Sequence, residues 1–181
     1  MTSQDEIMMT ILYSPVHYTH SSHYPDDFLD QNIWDDVLVN FWLLHHFALE
    51  NLPDEHASID NALLAHWYQL PDICYLIGGY LLRNQLLLQK TMLMTDPHLL
   101  RFISLPLRHH IKIIGKTDSF DTMLYGAAFI LGLFPNLPSA LVQRFKLVFP
   151  ATMQLPQFKV SLTLDHFNLF HMALTYAQNK Q

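Results

Sequence analysis

The chain has 181 residues, half of them apolar, and 16 acidic against 10 basic residues give a formal net charge of -6. That is enough chain to bury one sizeable core, and the length favours one domain over two. With only five glycines, a single cysteine and no Gly/Ser/Pro-rich or charge-block segment, the sequence offers no linker, no internal repeat and no internal disulfide.

The amino terminus opens on Gln4, Asp5 and Glu6 with no basic stretch before an apolar one, so it does not read as a secretory signal. Residues 1–10 are expected to be flexible and the protein to stay in the cell, where a lone Cys74 suits a reducing cytosol. From Trp34, the residues Val37, Phe41, Leu44 and Ala48 recur at steps of three and four on one helical face, with Asn32 as a cap and Pro53 beyond the end. A second helix runs from Ser58 or Ile59 to Tyr68. Pro71 opens a third in its first turn, beside Asp72 at the positive end of the dipole, and the face Ile73, Leu76, Ile77, Tyr80, Leu81, Asn84, Leu87, Leu88 carries it to about Met94.

Asp96-Pro97 starts a short helix towards Ser104. Leu107 to Gly115 admits a short strand, although its helical neighbourhood favours helix or loop. Asp118 and Asp121 mark the start of a helix through Leu133. Its apolar run, Met123 to Phe134, is about a dozen residues where a bilayer span needs roughly 20, so it reads as a core helix. Pro138-Ser139 opens another that stops before Pro150, and a last helix runs from about Gln157 to Gln178. The expected architecture is all-α, a single compact multi-helix domain over 1–181.

Charge is distributed unevenly. No Lys or Arg precedes Arg83: up to Leu82 there are twelve acids, and from Arg83 onward ten basic residues and four acids, so the two halves carry about -12 and +6. If the halves stay apart in space the surface is electrically polar and can orient docking; if they interleave the asymmetry cancels. Nucleic acid does not suit the acidic half, and the basic half lacks the clustered Lys/Arg with interleaved aromatics that phosphate tracking needs.

His17, His20 and His23 form an H-x-x-H-x-x-H series, but no Cys, Asp or Glu at a standard ligand interval completes a metal set, so structural or surface roles are favoured. The pairs His45-His46 and His109-His110 should each give one inward and one outward ring. Asp26-Asp27-Phe-Leu-Asp30 has the D-D-x-x-D pattern that holds magnesium against a diphosphate. The basic residues and second metal-binding helix of such a site are missing, and a solvated acidic turn is favoured over a small magnesium-dependent all-α enzyme built on Asp26, Asp27 and Asp30. Cys74 has no neighbouring His, Lys or Arg and reads as an inert buried thiol. No P-loop, dinucleotide glycine pattern or nucleophile elbow is present, so no catalytic residue, metal site or cofactor is assigned. The helical pair Gly78-Gly79 costs about 1 kcal/mol per residue relative to alanine, which calls for a packing reason, a close helix crossing.

Three stretches carry a resemblance: Ile11-Leu-Tyr-Ser-Pro15-Val-His-Tyr-Thr-His20, Trp67-Tyr-Gln-Leu-Pro71-Asp-Ile-Cys-Tyr75-Leu-Ile-Gly78 and Leu137-Pro-Ser-Ala-Leu-Val-Gln-Arg144-Phe-Lys-Leu-Val-Phe-Pro150. In order and separation, and with Met172-Ala-Leu-Thr-Tyr-Ala-Gln178 at the end, the chain resembles the OrgA/MxiK/YscK family of bacterial type III secretion systems. The resemblance implies a noncatalytic cytosolic adaptor, peripheral at the inner face of the inner membrane. It would link the cytoplasmic domain of the inner-membrane ring protein to the pod protein of the sorting platform. Pro15, Trp67, Pro71, Tyr75, Gly78, Pro138, Phe145 and Pro150 read as its scaffold. Arg144, set among Phe and Leu, needs a carboxylate or carbonyl partner or else anchors another subunit. The acidic segment Asp26, Asp27, Asp30, Asp35 and Asp36 is expected to contribute to one partner interface. A secretion chaperone is a weaker reading, since such proteins are smaller, mixed α/β and dimeric.

Overall fold

The computed structural model describes residues 3–26, 34–53, 59–89, 96–106, 111, 113–114, 120–160 and 162–179. Among them are eight α-helices: α1 (Ser3–Tyr13), α2 (Asp36–His46), α3 (Asn61–Ala65), α4 (Leu70–Gln89), α5 (Pro97–Ile103), α6 (Thr122–Leu133), α7 (Ser139–Leu147) and α8 (Leu164–Gln178). The fold is all-α. α1 takes in residues 3–10 of the stretch 1–10.

Aspartates write the starts of four of these helices. Asp35 accepts from the Val37 amide, Asp60 from Ala62 and Leu63, Asp96 from His98 and Leu99, and Asp121 from Met123 and Leu124. Each satisfies amides that the first turn of a helix leaves without partners, and losing such a cap costs about 1 kcal/mol. Asp35 therefore caps α2. Asn32, the cap expected from sequence, lies outside the described residues. α3 is shorter than expected, because Asp60 starts it at Asn61 and it gives way at Ala65 to a 3-10 turn, Trp67–Gln69.

The last helix also starts later than the sequence suggests, at Leu164. Lys159–Val160 (β2) pairs antiparallel with Ile113–Ile114 (β1), Ile113 opposite Val160 and Ile114 opposite Lys159. The β-branched residues at 113, 114 and 160 are those that favour a pleated backbone, and ladder bonds hold 159 and 160 out of the helix.

The chain divides into two compact units, each made from two stretches. Unit 1 comprises Met1–Tyr68 and Asn136–Met153; unit 2 comprises Gln69–Pro135 and Gln154–Gln181. In unit 1, α1 packs on α3 and α7, and α2 on the 3-10 turn Pro15–His17, whose Val16 amide donates to Asn40 Oδ1 at 2.9 Å. Trp67 and Phe145 are fully buried and meet edge to face at 6.4 Å, with Tyr18 edge-on to Trp67 at 6.0 Å and Phe149 beside Phe145 at 5.1 Å. Burying each large apolar side chain contributes about 1.5–3 kcal/mol.

In unit 2, α4 packs on α6, α5 and α8, and α6 also on β2. Ile73, Cys74, Leu76, Ile77, Tyr80 and Leu82 are buried along α4, and Asn84, expected on that face, is exposed. α6 is buried through most of its length. No helix of the described residues is long and apolar enough to cross a membrane. The reason for the glycines is steric: a Cβ on Gly78 would stand 1.6 Å from the Thr122 carbonyl oxygen, and one on Gly126 1.9 Å from that of Cys74. Both contacts are with backbone, so α4 and α6 cross with no room for a methyl group at either glycine. Gly79 faces only the movable end of Leu99, 2.4 Å from an added Cβ.

α2 departs most from its sequence reading. Val39 and Leu43 are buried, whereas the recurring stripe holds Trp34, Val37 and Phe41 at 41%, 70% and 60% exposure, with Ala48 exposed and Leu44 half-buried. The periodicity was that of the outward side. The helix stops without glycine: Ala48 takes φ 46, the Leu49 amide donates to Leu44 O at 2.9 Å and that of Ala48 to His45 O at 3.2 Å. This is the Schellman pattern, which usually places glycine where Ala48 stands.

Candidate functional site

Of the five acids expected at an interface, Asp26, Asp35 and Asp36 are exposed, and Asp27 and Asp30 lie outside the described residues. Asp35 and Asp36 sit together at the amino end of α2, where a negative charge also suits the helix dipole. The unit boundaries sharpen the charge pattern. Unit 1 contains eleven acids against Arg144 and Lys146, a net of -9, and unit 2 five acids against eight basic residues, a net of +3. The acidic and basic halves of the sequence therefore stay largely sorted by unit, with Asp72 the one early acid in unit 2.

Arg144 is fully buried inside unit 1. Its Nε and one terminal nitrogen donate to Leu12 O at 3.1 and 2.8 Å, and the other terminal nitrogen donates to Glu50 O at 2.8 Å and Ala140 O at 2.9 Å. Leu12 lies in the last turn of α1, where carbonyls lack helical partners and a cation is favoured. Arg144 thus ties the end of α1 and the irregular segment at Glu50 to α7. The Glu50 side chain completes the tie: its carboxylate accepts from Ser139 Oγ and from Gln143 Nε2 at 3.2 Å, while its amide donates to Gln143 Oε1 at 2.8 Å. Tyr18 adds a bond from its hydroxyl to Ile11 O at 2.6 Å. Burial pushes the Tyr18 hydroxyl well up, against the opposing pull of Arg144, and burial lowers Arg144 from its ordinary value. Carbonyls are the partners this guanidinium has found.

The histidines go separate ways. His17 is exposed, His20 Nδ1 accepts from the Ser22 amide at 3.2 Å, and His23 Nε2 donates to Phe149 O at 2.8 Å. His45 and His46 are both exposed, so that pair has no inward ring; His45 lies 4.2 Å from the Phe41 ring and His46 stacks on Trp42 at 4.4 Å. Successive helical positions turn by about 100°, which puts His45 on the side away from Val39 and Leu43; His46, seven positions after Val39, falls on their side but is the last residue of α2 and is exposed. His109 and His110 lie outside the described residues. Among the described residues no group of three or more His, Cys, Asp or Glu is placed to hold a metal ion. Cys74 is fully buried and its thiol is pushed well up by burial, which withholds the reactive thiolate.

The remaining scaffold positions fall at joints. Pro15 is buried at the start of a 3-10 turn, Pro71 lies in the first turn of α4, Pro138 stands immediately before α7 without a side-chain capping bond, and Pro150 is half-buried beyond its end. Tyr75 donates to Asp96 Oδ2 at 2.9 Å, which links α4 to the cap of α5. Burial pushes the Tyr75 hydroxyl up, and the Asp96 carboxylate beside it adds to the shift. Burial alone would raise Asp96, but the hydrogen bonds from Tyr75, Leu99 and His98 outweigh it and hold the carboxyl below its usual range.

The feature that sequence reasoning missed is the exposed apolar face of α2, with Leu38 exposed at 53% beside Val37 and Phe41. A signal was present, because Val37-Leu-Val and Phe41-Trp-Leu-Leu make the helix apolar on more than one side.

No solved structure matches the chain. The oxygen-regulated invasion protein OrgA of Salmonella typhimurium, in strains 14028s, SL1344 and LT2, is 27% identical over 187 residues, covering 95% of this chain and 87% of OrgA. Residues 8–179 match the OrgA_MxiK family, described as a bacterial type III secretion apparatus protein. With that match spanning nearly its whole length, the chain belongs to the OrgA_MxiK family of bacterial type III secretion apparatus proteins.

Proposed function

We propose that the protein is a noncatalytic adaptor of a bacterial type III secretion system, joining the cytoplasmic domain of the inner-membrane ring protein to the pod protein of the sorting platform. Membership of the secretion apparatus family over residues 8–179 carries this reading. The opposite net charges of the two units support two docking surfaces of different electrostatic character. Among the described residues, Cys74 is buried and His20 and His23 are held by separate partners, which fits a role without nucleophilic or metal chemistry. The protein then sits at the inner face of the inner membrane, held there by its protein partners.

The whole chain works as one domain, 1–181. Each unit needs two separated stretches of sequence, so neither can be excised as a contiguous segment. One of the two interfaces includes the acidic segment Asp26, Asp27, Asp30, Asp35 and Asp36.

Crosslinking mass spectrometry in cells that assemble the apparatus tests the adaptor role. Crosslinks to both the ring protein and the pod protein are expected, and their absence for either overturns it. Neutralising the five acids, with the fold checked by circular dichroism, should weaken binding to one of the two partners. Unchanged binding to both removes the acidic segment from the interface.

A further inference from the structure

α2 is apolar nearly all round, and only one side of it is packed. At about 100° per residue, Val39 and Leu43 fall together on the buried side, and Val37, Phe41 and Leu38 span a sector of about 100° on the other. Those three are 70%, 60% and 53% exposed. A helix with apolar residues on every side is ordinarily buried, and adjacent large apolar side chains left outward on a soluble surface mark a contact site.

The charge around this face indicates what covers it. Asp35 and Asp36 are exposed at the amino end of α2, and unit 1, to which α2 belongs, carries a net of -9. A second copy docked face to face would bring -9 against -9, which electrostatics oppose. A cationic partner gains on both counts, through burial of its apolar side and through pairing at the acidic end. The dimensions suit a helix laid along another helix, since residues 37, 38 and 41 lie within two turns and present a narrow apolar strip.

We infer that the outward face of α2 docks an amphipathic, Lys/Arg-bearing helix of another protein, its apolar side on Val37, Leu38 and Phe41 and its cations at Asp35 and Asp36. This rests on the adaptor reading and names the chemistry of one of its partners.

Two measurements test it on the full chain. In the first, a synthetic Leu/Lys amphipathic helix of about five turns and a Leu/Glu helix of the same length are compared by fluorescence anisotropy. The Leu/Lys probe should bind and the Leu/Glu probe should not. Val37→Gln with Phe41→Gln should weaken binding about tenfold or more, and Asp35→Asn with Asp36→Asn, which keeps a capping side chain, should flatten the salt dependence. Equal binding of the two probes, or unchanged binding by the Gln variant, overturns the inference.

In the second, a photo-crosslinking residue replaces Leu38 in cells that assemble the apparatus. The crosslinked peptide should belong to another protein and carry basic residues beside apolar ones. Crosslinks only to this chain, crosslinks to an acidic segment, or no crosslink at all also overturn it. Pull-down of the ring and pod proteins separates the two failures. If the wild type and the Gln variant retain both partners equally, the docking face is wrong and the adaptor stands; if the wild type retains neither, the adaptor reading itself is wrong.

Discussion

The two units hold their helices together by opposite means. In unit 2, α4 and α6 meet backbone to backbone at Gly78 and Gly126, and the contact depends on shape. In unit 1, α1, the segment at Glu50 and α7 meet through one buried guanidinium that reaches three carbonyls. A shape contact fails when atoms are added, because close-packed backbone cannot move aside. A polar tie fails when atoms are removed, because buried carbonyls are then left without donors. The same chain should therefore be intolerant of opposite kinds of substitution in its two units.

The largest expected effect is in unit 2. Gly126→Ala or Gly78→Ala should cost more than about 3 kcal/mol by denaturant unfolding, or prevent folding, since each added methyl meets a carbonyl group. Gly79→Ala is the control that sharpens the point: it meets only the end of Leu99 and should cost at least about 2 kcal/mol less. If all three alanine variants unfold alike, the crossing is not set by backbone contact. Next comes Arg144→Met, which keeps the apolar stem and deletes the donors; it should cost about 2–4 kcal/mol, and a neutral result would break the contrast between the units.

Asp96→Ala should remove about 1 kcal/mol, by thermal unfolding, through loss of the α5 cap. Its carboxyl is held below its ordinary value, so the stability it adds is fully present above the unfolded value of about 3.9 and is lost as pH falls through the lowered one. Asp96→Asn, which can still cap, should therefore flatten the acid limb of the stability profile. Ala48→Gly should stabilise by about 0.4–1 kcal/mol, because φ 46 suits glycine. The smallest effect belongs to Phe41→Gln: within about 0.5 kcal/mol of wild type in stability, since the ring is 60% exposed. A large loss there would mean the ring packs in the free protein.

Much of the fold could be read where single residues act locally. Pro71, Asp96-Pro97, Asp121 and Pro138-Ser139 each fix a helix start through backbone chemistry confined to a turn. Gly78 signalled a close crossing, though its counterpart Gly126 was not identified, because pairing across 48 positions is a tertiary fact. The end of α2 was illegible for a physical reason: its Schellman turn uses alanine where the sequence signal is glycine. The start of α8 was missed because the ladder between Ile113–Ile114 and Lys159–Val160 is nonlocal.

At the candidate site, the acids at 35 and 36 were legible as surface charge and Arg144 as a residue needing a partner, but not that carbonyls 132 and 94 positions earlier would supply it. The side of α2 that faces outward was also beyond reach. Both sides are apolar, and periodicity alone does not say which one the rest of the unit covers.

The division of each unit into two stretches sets an order on the ribosome. Trp67 leaves it long before Phe145, its edge-to-face neighbour, and the carbonyls of Leu12 and Glu50 wait equally long for Arg144. Unit 1 cannot close until residues 136–153 have been made, and unit 2 waits further for 154–181. The nascent chain therefore carries an unfinished acidic unit while most of unit 2 is being synthesised, and neither unit is complete before residue 153 has been added.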